Sequence, residues 1–96
     1  MTVKVTLNCN VLPESFAKLV PFLEKNLPNV RAFKGNRRAR IFFDKVNNEM
    51  LIDEDWDSIA QHQSYIDFIA NNGVMDQLAA FLTAPPSIKY FNLVEV

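Results

Sequence analysis

Val3, Val5, Leu7, Cys9 and Val11 alternate with Lys4, Thr6, Asn8 and Asn10, and a few residues later the apolar period lengthens to that of a helix. A period of two rich in β-branched residues belongs to a half-buried strand, so residues 3–11 read as the first strand. Phe16, Leu19, Val20, Leu23 and Leu27 then share one stripe, which predicts a helix over 14–27. Pro13 precedes it where a first turn tolerates proline. Pro21 falls on the opposite face and predicts a bend, and Pro28 is expected to end the helix.

Residues 30–34 read as a short extended segment before a turn at Gly35-Asn36. Residues 37–46 and 49–56 read as a hairpin around Asn47-Asn48, because asparagine tolerates the positive φ of tight hairpin turns. Counting outward from Val46 and Glu49 sets Phe43 against Ile52, Ile41 against Glu54 and Ala39 against Trp56 on an apolar face. The other face pairs Phe42 with Asp53, Arg40 with Asp55 and Arg38 with Asp57. Asp57 or Ser58 can cap a second helix, with Gln61 completing a capping box from Ser58, and Ile59, His62, Tyr65, Ile66, Ile69 and Ala70 fall on one arc. Asn71-Asn72-Gly73 interrupts it, a short helix follows from Val74 to Leu82, and residues 87–96 read as the last strand, apolar on both sides.

The order strand, helix, two strands, helix pair, strand predicts an α+β ferredoxin-like β-α-β-β-α-β unit, a four-stranded antiparallel sheet with helices on one face. The length of 96 residues fits a single domain spanning 1–96. A small domain buries little of its surface alone, and Phe42, Leu51, Phe91 and Leu93 give the second face of the sheet apolar character. A homodimer covering that face is therefore expected.

Ten Lys and Arg against eleven Asp and Glu leave no net field to attract nucleic acid or anionic lipid. The basic run Arg31, Lys34, Arg37, Arg38, Arg40 faces acidic residues across the hairpin, so no nucleic-acid partner is expected. No apolar run nears the roughly 18 residues of a membrane span. The start lacks signal-peptide character and Cys9 is the only cysteine, which together suggest a reducing, cytoplasmic setting. There is neither a glycine-rich phosphate loop nor His/Cys spacing for a metal.

Two residues stand out as candidate bases. His62, the only histidine, lies mid-arc on the sheet-facing side of its helix, where burial favours neutral imidazole; the alternative is a core histidine satisfied by one hydrogen bond. Glu54 falls on the apolar hairpin face, where desolvation raises its proton affinity; the alternative is a shifted register that lets it reach water. Trp56, Tyr65 and Phe43 are candidates for a flat-ring pocket or for plain core. Asn8 and Asn10 offer amides to a ligand oxygen, a neighbouring loop or solvent.

The stretch Trp56-Asp57-Ser58-Ile59-Ala60-Gln61-His62-Gln63-Ser64-Tyr65, with the hairpin before it and Ile88-Lys89-Tyr90-Phe91-Asn92-Leu93 after it, resembles the antibiotic biosynthesis monooxygenase (ABM) family. The resemblance covers nearly the whole chain. It implies a dimeric α+β barrel and a pocket between sheet and helices. It further implies a cofactor-independent oxidation of a small aromatic quinol or polyphenol to a quinone by dioxygen. His62 is carried over as base or orienting donor, Trp56 and Tyr65 as pocket wall, and Asn8 or Asn10 as polar contact. The resemblance stops short of the family's haem-degrading branch: Tyr65 stands where that branch has a Trp, and no histidine follows His62. Two rival functions remain, a non-enzymatic dimeric ligand-binding or stress-response module and an isomerase on a small hydroxycarbonyl compound.

Overall fold

The computed structural model describes residues 2–96. The elements are β1 (Val3–Asn10), α1 (Phe16–Ala32), β2 (Asn36–Asp44), β3 (Glu49–Trp56), α2 (Ile59–Asn71), α3 (Val74–Ala79) and β4 (Ser87–Asn92). The strands form one antiparallel sheet in the order β2-β3-β1-β4, the ferredoxin-like arrangement expected from the element order. Val3, Val5, Leu7 and Cys9 point from β1 into a core that also takes in Leu19 and Val30 of α1 and Leu78 of α3. The helices thus cover one face, and Lys4, Thr6 and Asn8 lie on the other, half exposed.

Helix α1 does not stop at Pro28 but runs to Ala32, which displaces the expected extended segment at 30–34. A proline removes only its own N–H and crowds only the carbonyl four residues back. Pro21 and Pro28 are both exposed, so the carbonyls they leave unpaired can take water while the inner side stays bonded. Val30, 4% exposed, anchors the final turn in the core.

The hairpin turns through Lys45–Asn48 rather than through two residues. Asp44 Oδ1 accepts from the backbone N–H groups of Val46 (2.9 Å) and Asn47 (3.3 Å), and Asn48 takes φ 51°. This side-chain turn opens the loop and slides the register by two residues. Phe43 pairs with Met50, Ile41 with Ile52, Ala39 with Glu54, Arg40 with Asp53 and Arg38 with Asp55. A two-residue slip leaves every side chain on its predicted face, where a slip of one would have reversed them all. On the outer face Arg40 meets Asp53 at 3.0 Å, Arg38 meets Asp55 at 3.0 Å, and Lys4 bridges both aspartates. Arg37, at the irregularity near the start of β2, reaches Asp57 at 2.6 Å.

Ser58 caps α2 as expected. Its Oγ accepts from the Gln61 backbone N–H at 3.1 Å and donates to Gln61 Oε1 at 3.0 Å. Gly35 lies against that side chain with φ +98°, and a Cβ there would stand 2.6 Å from Gln61 Cδ. Of the expected arc of α2, His62 and Ile69 are buried, whereas Ile59 and Ala70 are exposed. The last two elements are shorter than expected. Helix α3 ends at Ala79, although Leu82 is still buried beside a bridge to Val11, and β4 ends at Asn92, with Leu93 and Val94 exposed beyond it. No helix of the described residues is long and apolar enough to cross a membrane.

Candidate active site

Alternation along β3 turns Ile52, Glu54 and Trp56 toward the helices, and all three are buried. Glu54 sits in a row across the covered face, with Ala39 beside it on β2, Val5 on β1 and Tyr90 beyond Val5 on β4. His62 hangs from α2 over this row. Its Nδ1 lies 2.8 Å from the Tyr90 hydroxyl, and its Nε2 lies 3.8 Å from Glu54 Oε1. Trp56 donates its indole N–H to that same oxygen at 2.7 Å.

Among the described residues, His62 Nε2 is the buried side-chain polar atom with no hydrogen-bond partner. The imidazole is 0% exposed and edge-on to both Trp56 and Tyr90. Burial therefore holds it neutral, its pKa lowered to about 4. The same desolvation raises Glu54 to about 7, opposed by the Trp56 hydrogen bond and assisted by the charge of Asp53. Tyr65 is pushed up to about 12 by burial and then by Glu54, which excludes its phenolate at neutral pH. The pair thus offers one carboxyl poised near neutrality and one imidazole that stays uncharged.

Glu54 also lines a cavity of about 60 Å³ between the sheet and the helices, whose walls are otherwise nearly all apolar: Leu23, Leu27 and Val30 from α1, Ile41 and Ile52 from the sheet, Ile69 from α2. Tyr65, Asn26, Ile69 and Val74 are common to this cavity and to a cleft of about 370 Å³ outside it. That cleft has aromatic walls from Phe33, Phe68 and Tyr65 and the amide side chains of Asn26, Asn29 and Asn72. It contains no charged residue.

The structure brings His62, Glu54, Trp56 and Tyr65 together and separates the other candidates from them. Asn8 and Asn10 point from the opposite face of the sheet, as alternation along β1 requires; Asn8 donates to Glu49 Oε2 at 3.1 Å. Phe43 stacks on Phe16, ring centroids 3.7 Å apart, and does not line the inner cavity. Trp56 is fully buried behind Glu54, so it supports the carboxyl rather than walling the cavity. Tyr90 and the three cleft asparagines were not among the expected site residues. Tyr90 becomes visible only when β4 is set in register against β1. No group of three or more His, Cys, Asp or Glu among the described residues is placed to hold a metal ion.

A split β-α-β sheet backed by helices on one face is the ferredoxin-like fold. No family model and no curated relative matches the sequence. Among solved structures, an antibiotic biosynthesis monooxygenase superposes with TM-score 0.83 at 14% identity, covering 97% of this chain and 99% of that one. Rv0793 from Mycobacterium tuberculosis gives 0.82 at 17% identity over 100% and 98% of the two chains. A conserved protein from Methanosarcina mazei Go1 gives 0.83 at 12%, over 96% and 92%. At these identities the likeness establishes the fold.

Proposed function

We propose that the chain is a cofactor-independent monooxygenase that oxidises a small, uncharged phenol or quinol to a quinone, with Glu54 as the base. The observation that carries this is a carboxyl poised near neutral pH at the wall of an apolar cavity. A general base is most effective when its proton affinity matches the working pH. An inner cavity of about 60 Å³ is too small for a ring, given that an apolar cavity of about 150 Å³ holds benzene. The ring therefore occupies the aromatic cleft, and its hydroxyl enters past Tyr65 toward Glu54. With no charged residue in the cleft and the acid in the adjoining cavity, an anionic substrate is disfavoured.

Glu54 takes the phenolic proton. The ring carbon of the resulting electron-rich phenolate bonds to dioxygen, and Glu54 returns the proton to the peroxide. Loss of the ring hydrogen and cleavage of the O–O bond then expel water and leave a carbonyl. The sum is phenol plus dioxygen giving quinone plus water, with the substrate as the only reductant. The working form is a homodimer in which a second copy covers the outer face, where Phe42 and Phe91 are 47% and 49% exposed.

The test is oxygen uptake and quinone formation with a panel of hydroquinones and naphthols, comparing the native chain with Glu54→Gln. Glutamine keeps an acceptor for Trp56 and removes the base. Uptake lowered at least a hundredfold by the substitution supports the proposal, in line with the roughly 10²–10⁴-fold worth of general-base catalysis. Uptake unchanged by it removes Glu54 from the role, and tight binding without uptake makes the protein a carrier.

A further inference from the structure

We infer that Tyr90 is a positioning residue whose hydroxyl donates to His62 Nδ1 and fixes the imidazole with its Nε2–H aimed at Glu54. The argument starts at the other end of the row. Trp56 can only donate, and it does so to Glu54 Oε1 at 2.7 Å. Oε1 is thus an acceptor whether or not the carboxyl is ionised, and when Glu54 gains a proton that proton sits on Oε2.

His62 Nε2 is buried and faces this acceptor at 3.8 Å. A lone pair there would oppose the lone pairs of Oε1, whereas an N–H is attracted to them. A neutral imidazole carries a single N–H, so Nδ1 must then accept. Among the described residues the polar group bonded to it is the Tyr90 hydroxyl at 2.8 Å, which must therefore donate. The bond directions follow as a chain: Tyr90 O–H to Nδ1, Nε2–H toward Oε1, and the indole N–H of Trp56 to Oε1. Two N–H dipoles converge on one carboxylate oxygen and leave the other for the proton.

The cross-strand row explains why the chain can form. Glu54 and Tyr90 both neighbour Val5, on opposite sides of it. A single imidazole spans the small side chain between them. Among the described residues, the other polar side chains lining the cavity of Glu54 are Tyr65 of α2 and Asn26 of α1. Helix α3 presents Val74 and Leu78 to the cavity. Lys4, Arg38, Arg40, Asp53 and Asp55 all lie on the opposite face of the sheet. His62, 3.8 Å from Glu54 Oε1, is thus placed to tune the acid from the helix layer, and Tyr90 determines its orientation.

The consequence for turnover rests on Glu54 being the base; the tautomer does not. Nitrogen-15 NMR of the imidazole in the substrate-free native chain at neutral pH should show a proton bonded to Nε2 and a hydrogen-bonded, unprotonated Nδ1. A proton on Nδ1 would overturn the inference without any variant being made. In Tyr90→Phe, which keeps the ring, the Nδ1 signal should move to that of an unbonded nitrogen. The Glu54 carboxyl titration, followed by carbon-13 NMR, should rise by roughly half a pH unit, about a threefold gain in proton affinity. An unmoved Glu54 midpoint would also sink the inference. Both readouts hold whether or not oxygen uptake is found, so failure of the proposed reaction is separately visible.

Discussion

Trp56 and Glu54, two positions apart on β3, point to the same side of the sheet and join through a 2.7 Å hydrogen bond between the indole N–H and a carboxyl oxygen. The fully buried indole thus serves the acid more than the ligand. It supplies the strongest opposition to the desolvation that lifts Glu54 to about 7. Removing the N–H in Trp56→Phe should push the acid higher still. It should also cost about 1–3 kcal/mol of stability through the unpaired oxygen and the small void. Carboxyl titration by NMR and urea unfolding check the two halves separately.

Glu54 and His62 pull stability in opposite directions with pH. Burial raises Glu54 from 4.5 to about 7, so the folded state binds the proton more tightly, and stability falls as pH rises through that window. Burial lowers His62 from 6.5 to about 4, so stability falls as pH drops through its window. Between about 4.5 and 6.5 the slopes nearly cancel, and stability should be flat. Above pH 6.5 only the last half unit of the Glu54 window is left uncompensated, a loss of under about 1 kcal/mol out of roughly 3 kcal/mol for the whole window. Urea midpoints at pH 5.5, 6.5 and 8.5 should drop only over the last interval, and Glu54→Gln should abolish the drop. A native chain equally stable at 6.5 and 8.5 would contradict it.

Gly35→Ala should destabilise the fold without touching the acid. The positive φ at Gly35 disfavours any side chain, and the new methyl would press on Gln61 within the capping box of α2. A loss of about 1–3 kcal/mol is expected, read as a lowered thermal midpoint with an unshifted Glu54 titration. Gly73→Ala meets open space at a similar φ and should cost less.

Phe91→Asp and Phe42→Asp test the proposed pairing of two sheets. Each places a charge on the outer face, where either ring is about half exposed in the single chain. Sedimentation equilibrium should find a dimer for the native chain and a monomer, or at least a tenfold weaker dimer, for the variants. A native chain that stays monomeric at high concentration would end that part of the proposal.

Much of this was legible in the residues because β-structure is read by parity. Asp44 gathers the loop around its carboxyl and moves the hairpin register by two, yet Glu54 stays on the covered face, since an even slip changes neighbours and not sides. Ser58 and Gln61 declared the start of α2 through purely local chemistry. Pro28 misled because its rule concerns one missing N–H, whereas the burial of Val30 is a tertiary effect. Asn8 and Asn10 could be placed on a strand face from the sequence, but only the assembled sheet shows that this is not the face of Glu54. The Tyr90 contact joins residues 28 positions apart and was not visible before the strands were in register.

The two prolines of α1 leave two gaps in its ladder of amide bonds. Near Ala17 and Glu24 the helix lacks the rungs that Pro21 and Pro28 would otherwise supply. Both gaps fall at exposed positions, so the helix can curve over the sheet without giving up a buried hydrogen bond.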